Sequence, residues 1–361
     1  MKTALCFLFI LLFSFAHSFG EVFRVFSPCN KSNTLWVIRA EPNGDELKLE
    51  VERKVKLGIP GRVITSHPSK PLLYITATDG PPGEVPGAVI SLTESGAYGK
   101  HDLVSFNDGA CFLSLDRNNK HLLGVSYGNG RLNVYPLDER GFPGKAVTTI
   151  DEGKREAHCV IVSPDNRNVY VPYVKGNLAL FQYAYDGNTG KLTPLDPKDA
   201  NPPQGTGPRH LAYHPKLPMA YFTNEQGIGL STYRRQADGR LKIEQDLSIL
   251  PPGMSKLGLS ASDLLITPDG RFLFAGLRGH RQDFDRIARY RVLENGHAEL
   301  LGLTAADKIP WGLTLSPDGR HLLVSATTGA TLTAYRITET GDLKRAASLK
   351  WEPRMSDLVA R

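Results

Sequence analysis

The sequence predicts an all-β protein: a seven-bladed β-propeller, with the ring closed by N- and C-terminal strands that share one blade. Three observations lead there. A short apolar unit recurs about every fifty residues, the period of a four-stranded propeller blade. Each copy is followed by further β-rich runs separated by turns rich in glycine, the pattern of antiparallel hairpins. Between the copies, no stretch of about twelve residues carries the apolar spacing of an amphipathic helix, which argues against βαβ units.

The clearest copies are Val160-Ile161-Val162-Ser163-Pro164-Asp165, Leu264-Leu265-Ile266-Thr267-Pro268-Asp269-Gly270 and Leu313-Thr314-Leu315-Ser316-Pro317-Asp318-Gly319. Weaker ones begin at Val63, Phe112 and Leu211. A second strand is predicted after each: Leu72–Thr76, His121–Ser126, Asn168–Pro172, Met219–Thr223, Phe272–Ala275 and His321–Ser325. Third strands follow, as at Arg131–Pro136, Leu178–Tyr183 and Thr331–Ile337. The N-terminal segment offers only later strands, in Phe23–Phe26, Leu35–Ala40 and Leu47–Val51, while the tail around Met355–Ala360 offers one strand with nothing after it. Joined, they complete a seventh blade and remove the sheet edges an open fan would expose. Six blades with a loose terminus is the alternative.

Met1-Lys2-Thr3, the apolar run Ala4–Phe15 and the small residues around Ala16-His17-Ser18 make a charged tip, an apolar core and a cleavage region. This predicts a signal peptide over residues 1–20 and one propeller domain over 21–361. The apolar run is short for a membrane span, and no other segment is apolar enough to be one. A secreted or periplasmic protein with no membrane span after cleavage is expected; retention as an anchor is the alternative. Net charge is only +6 with no run of five basic residues, so the chain carries no nucleic-acid footprint. Cys29, Cys111 and Cys159 remain after cleavage, without a C-x-x-C pair, and are expected as buried free thiols. The letters G-x-S-x-G occur at Gly124–Gly128, but no helix is expected after them and they do not make a nucleophile elbow; a P-loop and a glycine-rich dinucleotide loop after a strand are absent, so neither a serine nucleophile nor a cofactor is expected. Assembly state is left open.

In a propeller, the start of each inner strand and the end of each second strand converge on one mouth of the central channel. His158 precedes one inner strand, and Arg209 with His210 precedes the next. Glu225 ends that blade's second strand, and Arg278 with His280 follows the second strand of the blade after it. Two arginines, a carboxylate and up to three imidazoles thus share one predicted cleft. A divalent metal on Glu225 and the histidines is disfavoured, because the two arginines would oppose a cation; no metal is expected. His67, His101, His121, His214, His297 and His321 sit in turn-like contexts and read as structural.

Gly207-Pro208-Arg209-His210-Leu211 with His214-Pro215, followed by Tyr221-Phe222-Thr223-Asn224-Glu225, resembles the β-propeller lactonase family. That family includes bacterial 6-phosphogluconolactonases and fungal 3-carboxy-cis,cis-muconate lactonising enzymes. Ala157-His158, Leu277-Arg278-Gly279-His280 and Ser316-Pro317-Asp318-Gly319-Arg320 agree with it, so the resemblance spans essentially the whole mature chain. It implies His158, Arg209, Glu225 and Arg278 as active-site residues, with His210, Asn224 and His280 toward substrate binding. There are departures: Leu277 stands where the family usually has Asn, Arg281–Arg286 reads as a small insertion beside the pocket, and Pro310-Trp311 replaces the common Pro-Arg, which removes one basic contact.

The resemblance implies a lactonase of the 6-phosphogluconolactonase type, opening the lactone of a sugar acid or related carboxylate. Arg209 and Arg278 would hold the substrate anion or the oxyanion, since the guanidinium fork suits both. An imidazole would activate water, with His158 the first choice and His210 the second. Glu225 would orient a neighbour or act as the base itself. The partner is then a small anionic or sugar-lactone substrate. A muconate-type lactonising cycloisomerase is one alternative, and a non-catalytic exported propeller that binds a ligand or protein is the other, since the fold alone does not decide function. An Arg209–Glu225 pair could also be purely structural.

Overall fold

The computed structural model describes residues 20–81 and 83–361; apart from Gly20, the predicted signal segment lies outside the described residues. These residues form seven four-stranded antiparallel sheets. Inner strands Val63–Ser66, Phe112–Leu115, Ile161–Val162, Pro208–Tyr213, Leu259–Ile266 and Pro310–Leu315 open blades 1 to 6. Blade 7 takes its innermost strand, Val359–Ala360, from the C-terminus and its outer three, Phe23–Cys29, Thr34–Asn43 and Glu46–Lys56, from the N-terminus. Val25 pairs with Ala360 and Phe26 with Val359, so the expected closure is present and the six-blade alternative is not. The one helical element among the described residues is the single 3₁₀ turn Lys175–Asn177. No helix among them is long and apolar enough to cross a membrane.

The recurring Ser/Thr-Pro-Asp unit is a turn that folds each inner strand back on the second. The Ser316 hydroxyl donates to Asp318 Oδ1 at 2.6 Å and accepts the His321 N–H at 2.9 Å; Thr267, Asp269 and Phe272 repeat the arrangement. The glycine that follows, Gly319 or Gly270, has a φ of +69° or +82°, open to it because it lacks a Cβ. Where the hydroxyl is missing, His67 and His214 accept the turn N–H groups on Nδ1, which makes both imidazoles structural. In six blades this turn residue donates its own N–H to the carbonyl opening the second strand: His67 to Leu72, Asp116 to His121, Ser163 to Asn168, His214 to Met219, Thr267 to Phe272 and Ser316 to His321.

Second strands such as Met219–Asn224 and Phe272–Gly279 are buried along their length, because each sheet is covered by a blade on both faces. Outer strands are charged and exposed, as in Glu46–Lys56, which discourages edge pairing. Neighbouring blades are also latched by tyrosines: the hydroxyls of Tyr74, Tyr170 and Tyr221 donate to the Gly141, Gly239 and Gly296 carbonyls of the next blade at 2.8, 2.6 and 2.8 Å. Cys29, Cys111 and Cys159 are free thiols, two buried and Cys111 half-buried.

Candidate active site

Counting five residues back from the six turn residues reaches Arg62, Cys111, His158, Arg209, Ser262 and Trp311. These occupy one register level at the start of the inner strands. The next level contains His210 and Asp263, and Asp357 repeats the Asp263 contacts in blade 7. Asp263 accepts the N–H of Leu313 in the following blade at 2.8 Å, and Asp357 accepts that of Ile64 at 2.8 Å. All of these except Ser262 line one cavity of about 400 Å³ at the channel mouth.

Adjacent residues of a regular strand point to opposite faces, yet Arg209 and His210 both line this cavity. The reason is a register shift between Pro208 and Leu211. Similar shifts fall between Ala261 and Leu264 in blade 5 and between Pro310 and Gly312 in blade 6. Such bulges re-aim side chains, and here three consecutive blades have one at the same level.

Behind Arg209, the four residues expected from the sequence are partly united. Arg209 is 0% and Arg278 3% exposed, and Glu225 lies between them, 2.9 Å from Arg209 Nε and 3.5 Å from an Arg278 terminal nitrogen. The Glu225 N–H donates to the Gly207 carbonyl at 2.7 Å, which fixes its position. Arg278 also donates to the Ala261 carbonyl at 2.8 Å. The approach of Arg209 to Glu225 is close but poorly aligned, so no nitrogen of the Arg209 guanidinium has a properly directed hydrogen bond. Buried donors in that condition are costly unless a ligand takes them up. Burial and the neighbouring Arg209 charge lower the Arg278 pKa to about 9, with Glu225 pulling the other way; Arg278 is still a cation at neutral pH.

The Trp311 indole sits among the arginines, 4.5 Å from Arg278, 5.7 Å from Arg209 and 5.8 Å from Arg62. Arg62 belongs to blade 1, three blades round the ring from Arg209, so the cavity has a guanidinium on a second wall even though Trp311 stands in place of a basic residue. Among the described residues Arg62 has no carboxylate within ion-pair distance. His158 lines the cavity with its ring 5.1 Å from that of His210 and 5.5 Å from that of Tyr127. Burial, then Arg209 and His210, push its pKa well below the usual histidine value. His210 Nδ1 is 2.6 Å from Asp263 Oδ1. Burial and Arg209 lower the His210 pKa while Asp263 works against them.

Four expected residues do not line the cavity: Glu225 and Arg278 lie behind Arg209, and Asn224 and His280 are turned elsewhere. Asn224 is buried, and its amide donates to the Ser231 hydroxyl at 2.7 Å and to Asp246 at 2.9 Å. It pairs with Gly229 inside its own sheet, so it serves the blade rather than a ligand. His280 is exposed and bonds the Ser260 hydroxyl at 2.8 Å, beside Arg278 but outside the lining. The segment Arg281–Asp285 is the loop joining two strands of blade 5 and is tied down by Gln282, whose amide donates to the Ser255 and Leu257 carbonyls. Asp263, Arg62 and Asp357 went unrecognised in the sequence. Counting back from the Ser-Pro-Asp turns would have found Arg62, and the buried carboxylates give no local signal. Burial and the Asp263 charge raise the Asp357 pKa to about 7, against the lowering effect of its backbone bonds and Arg62.

Comparison with known proteins agrees with this architecture. The family model described as "Lactonase, 7-bladed beta-propeller" matches residues 26–352. A 6-phosphogluconolactonase of Cronobacter sakazakii is 28% identical over 318 residues, covering 87% of this chain and 90% of that protein. One from Sodalis glossinidius is 30% identical over 283 residues, covering 77% and 81%. Among solved structures, a periplasmic gluconolactonase of Pseudomonas aeruginosa superposes with a TM-score of 0.82 at 21% identity, covering 94% of this chain and 99% of that one. With this ring, this mouth and these relatives, the chain belongs to the seven-bladed β-propeller lactonase family.

Proposed function

We propose that the protein hydrolyses the lactone of a sugar acid or a related carboxylate. The observation that carries this reading is the Arg209–Glu225–Arg278 cluster. It is buried, holds one positive charge in excess, and leaves the Arg209 donors unaligned beside a cavity of about 400 Å³. A six-membered lactone fits that volume. Its carbonyl oxygen becomes an oxyanion when water attacks, and preorganised cations at that point favour the transition state over the ground state. The two imidazoles on the same wall, both neutral at pH 7 by the direction of their shifts, are suited to accept the proton of the attacking water. The lactonases named among the relatives support the same reaction class.

Ring closure of a diacid is the second reading, and one observation favours it. Arg62 and Arg209 approach the same indole from different blades, and two guanidinium groups on separate walls could hold two carboxylates. Export belongs to the proposal too. The signal-like residues 1–20 would place the enzyme outside the cytosol, where unphosphorylated lactones are the expected substrates.

The test is pH-stat hydrolysis of glucono-δ-lactone, 6-phosphogluconolactone and a muconolactone by the mature chain, beside Arg209→Ala. Losing one oxyanion donor costs about 10²–10³ in rate. Acid release reduced by that factor is expected, while a loss under about threefold would remove Arg209 from the reaction. Incorporation of ¹⁸O from solvent into the product separates hydrolysis from ring closure.

A further inference from the structure

Resting on the hydrolase reading, we infer that His210 is the base that activates water and that Asp263 is its positioning residue. Neither the strand order nor the motif around Arg209 singles out Asp263, which lies in the next blade. The packing of that blade against the one carrying His210 brings the two together.

The contact runs from His210 Nδ1 to Asp263 Oδ1 at 2.6 Å. Asp263 cannot swing away, because Oδ1 also accepts the Leu264 N–H at 2.8 Å and Oδ2 accepts the Leu313 N–H at 2.8 Å. Burial raises the pKa of this carboxyl, but His210 and the two backbone donors outweigh burial and the net shift is downward. The carboxylate is therefore ionised at neutral pH and must receive a proton at Nδ1. That fixes the tautomer: the Nε2 lone pair is free, and among the described residues Nε2 has no hydrogen-bond partner. His158 lacks such support. Its Nδ1 is buried without a partner and no carboxylate faces it.

Water oxygen bonds the lactone carbonyl carbon while His210 Nε2 takes the water proton. The carbonyl π pair becomes an oxyanion held by Arg209, with the Arg278 charge behind it. Collapse re-forms the carbonyl and breaks the bond from the acyl carbon to the ring oxygen, which takes the proton back from Nε2. The product is the open hydroxy acid, and Asp263 is ionised throughout, as in other carboxylate–imidazole pairs.

The test compares Asp263→Asn, His210→Ala and the double variant with the unsubstituted protein on whichever lactone it opens. An amide donates to Nδ1 and reverses the tautomer. Asp263→Asn is therefore expected to lose about 100-fold or more in kcat, with KM within about threefold. The double variant should fall no further than His210→Ala, since the pair acts as a unit. The charged groups facing His210 are Asp263, Arg209 and Arg278, with His158 beside it. With only Asp263 neutralised, the acid limb of the residual activity moves to lower pH. A folded Asp263→Asn with kcat within threefold and an unmoved limb overturns the inference. Imidazole ¹⁵N NMR on the unsubstituted protein covers the case of a misfolded variant: a proton on Nδ1 of His210 supports the inference, and one on Nε2 overturns it. A protein that opens no lactone takes down the hydrolase reading and the base role with it. An active protein with the wrong tautomer takes down the base role alone.

Discussion

Glu225→Gln is the sharpest probe of the buried charge cluster, because it preserves shape and removes one charge. Glu225 lies 2.9 Å from Arg209 and 3.5 Å from Arg278, with those side chains 1% and 4% exposed. Its neutralisation leaves two guanidinium groups facing each other out of water. Removing one partner of a buried ion pair costs about 3–5 kcal/mol. A glutamine oxygen still accepts from one arginine, so the lower end, about 3 kcal/mol, applies. Unfolding entropy of about 2.1 cal/mol/K per residue over roughly 340 residues gives about 0.7 kcal/mol/K, hence a Tm lower by about 4 °C at pH 7. The deficit also depends on pH. Arg278 has a folded pKa near 9 against 12.5, so the folded state binds fewer protons than the unfolded chain between those values. Its cost is full below the folded pKa and eases as pH rises through it. Without Glu225 that pKa falls further, so the deficit narrows between pH 7 and pH 10. Calorimetry at both pH values, with and without gluconate, reads it. A variant within 1 °C of the parent at pH 7 would refute Glu225 as the counter-charge.

Arg62→Ala is expected to raise KM about tenfold for a lactone with a second anionic group, with kcat within twofold; neutral glucono-δ-lactone should be almost unaffected. An equal change for both lactones in parallel kinetics would argue against an anion contact at Arg62. Tyr221→Phe removes the hydroxyl that donates to Gly296 at 2.8 Å. It should cost about 1 kcal/mol, read as a small Tm loss with unchanged kcat/KM. Cys111 lines the cavity, and burial pushes its thiol up to about 12. Iodoacetamide at pH 8 should leave native activity intact, and rapid inactivation would show that the thiol is reachable and ionised.

Much of this molecule is legible in its sequence, for a definite reason. Each blade repeats the same local problem, an apolar strand followed by a tight turn, so Ser316-Pro317-Asp318-Gly319 and its relatives mark the fold by local chemistry alone. The closing blade was legible too, because Val359–Ala360 had no partner of its own in sequence and Phe23–Cys29 lacked an inner strand. Arg209, Glu225 and Arg278 could be placed together because strand order fixes which ends of a blade meet. Asn224 came from the resemblance alone, and no strand-order argument supported it. It neighbours Glu225 in sequence, but strand alternation turns its amide to Ser231 and Asp246.

What the sequence alone determined is therefore what repeats: blade count, turn chemistry, ring closure and the mouth at which polar residues gather. Tertiary structure decided which of those residues touch. The bulges at Arg209, Asp263 and Trp311 break the period-two alternation from which side-chain direction is read, and bulges have no composition of their own at these positions. Asp263 meets His210 because consecutive blades pack face to face, and Arg62 meets Trp311 because seven twisted sheets close on one axis. Both contacts join residues of different blades, far apart in the chain. Neither partner's local sequence records the pairing.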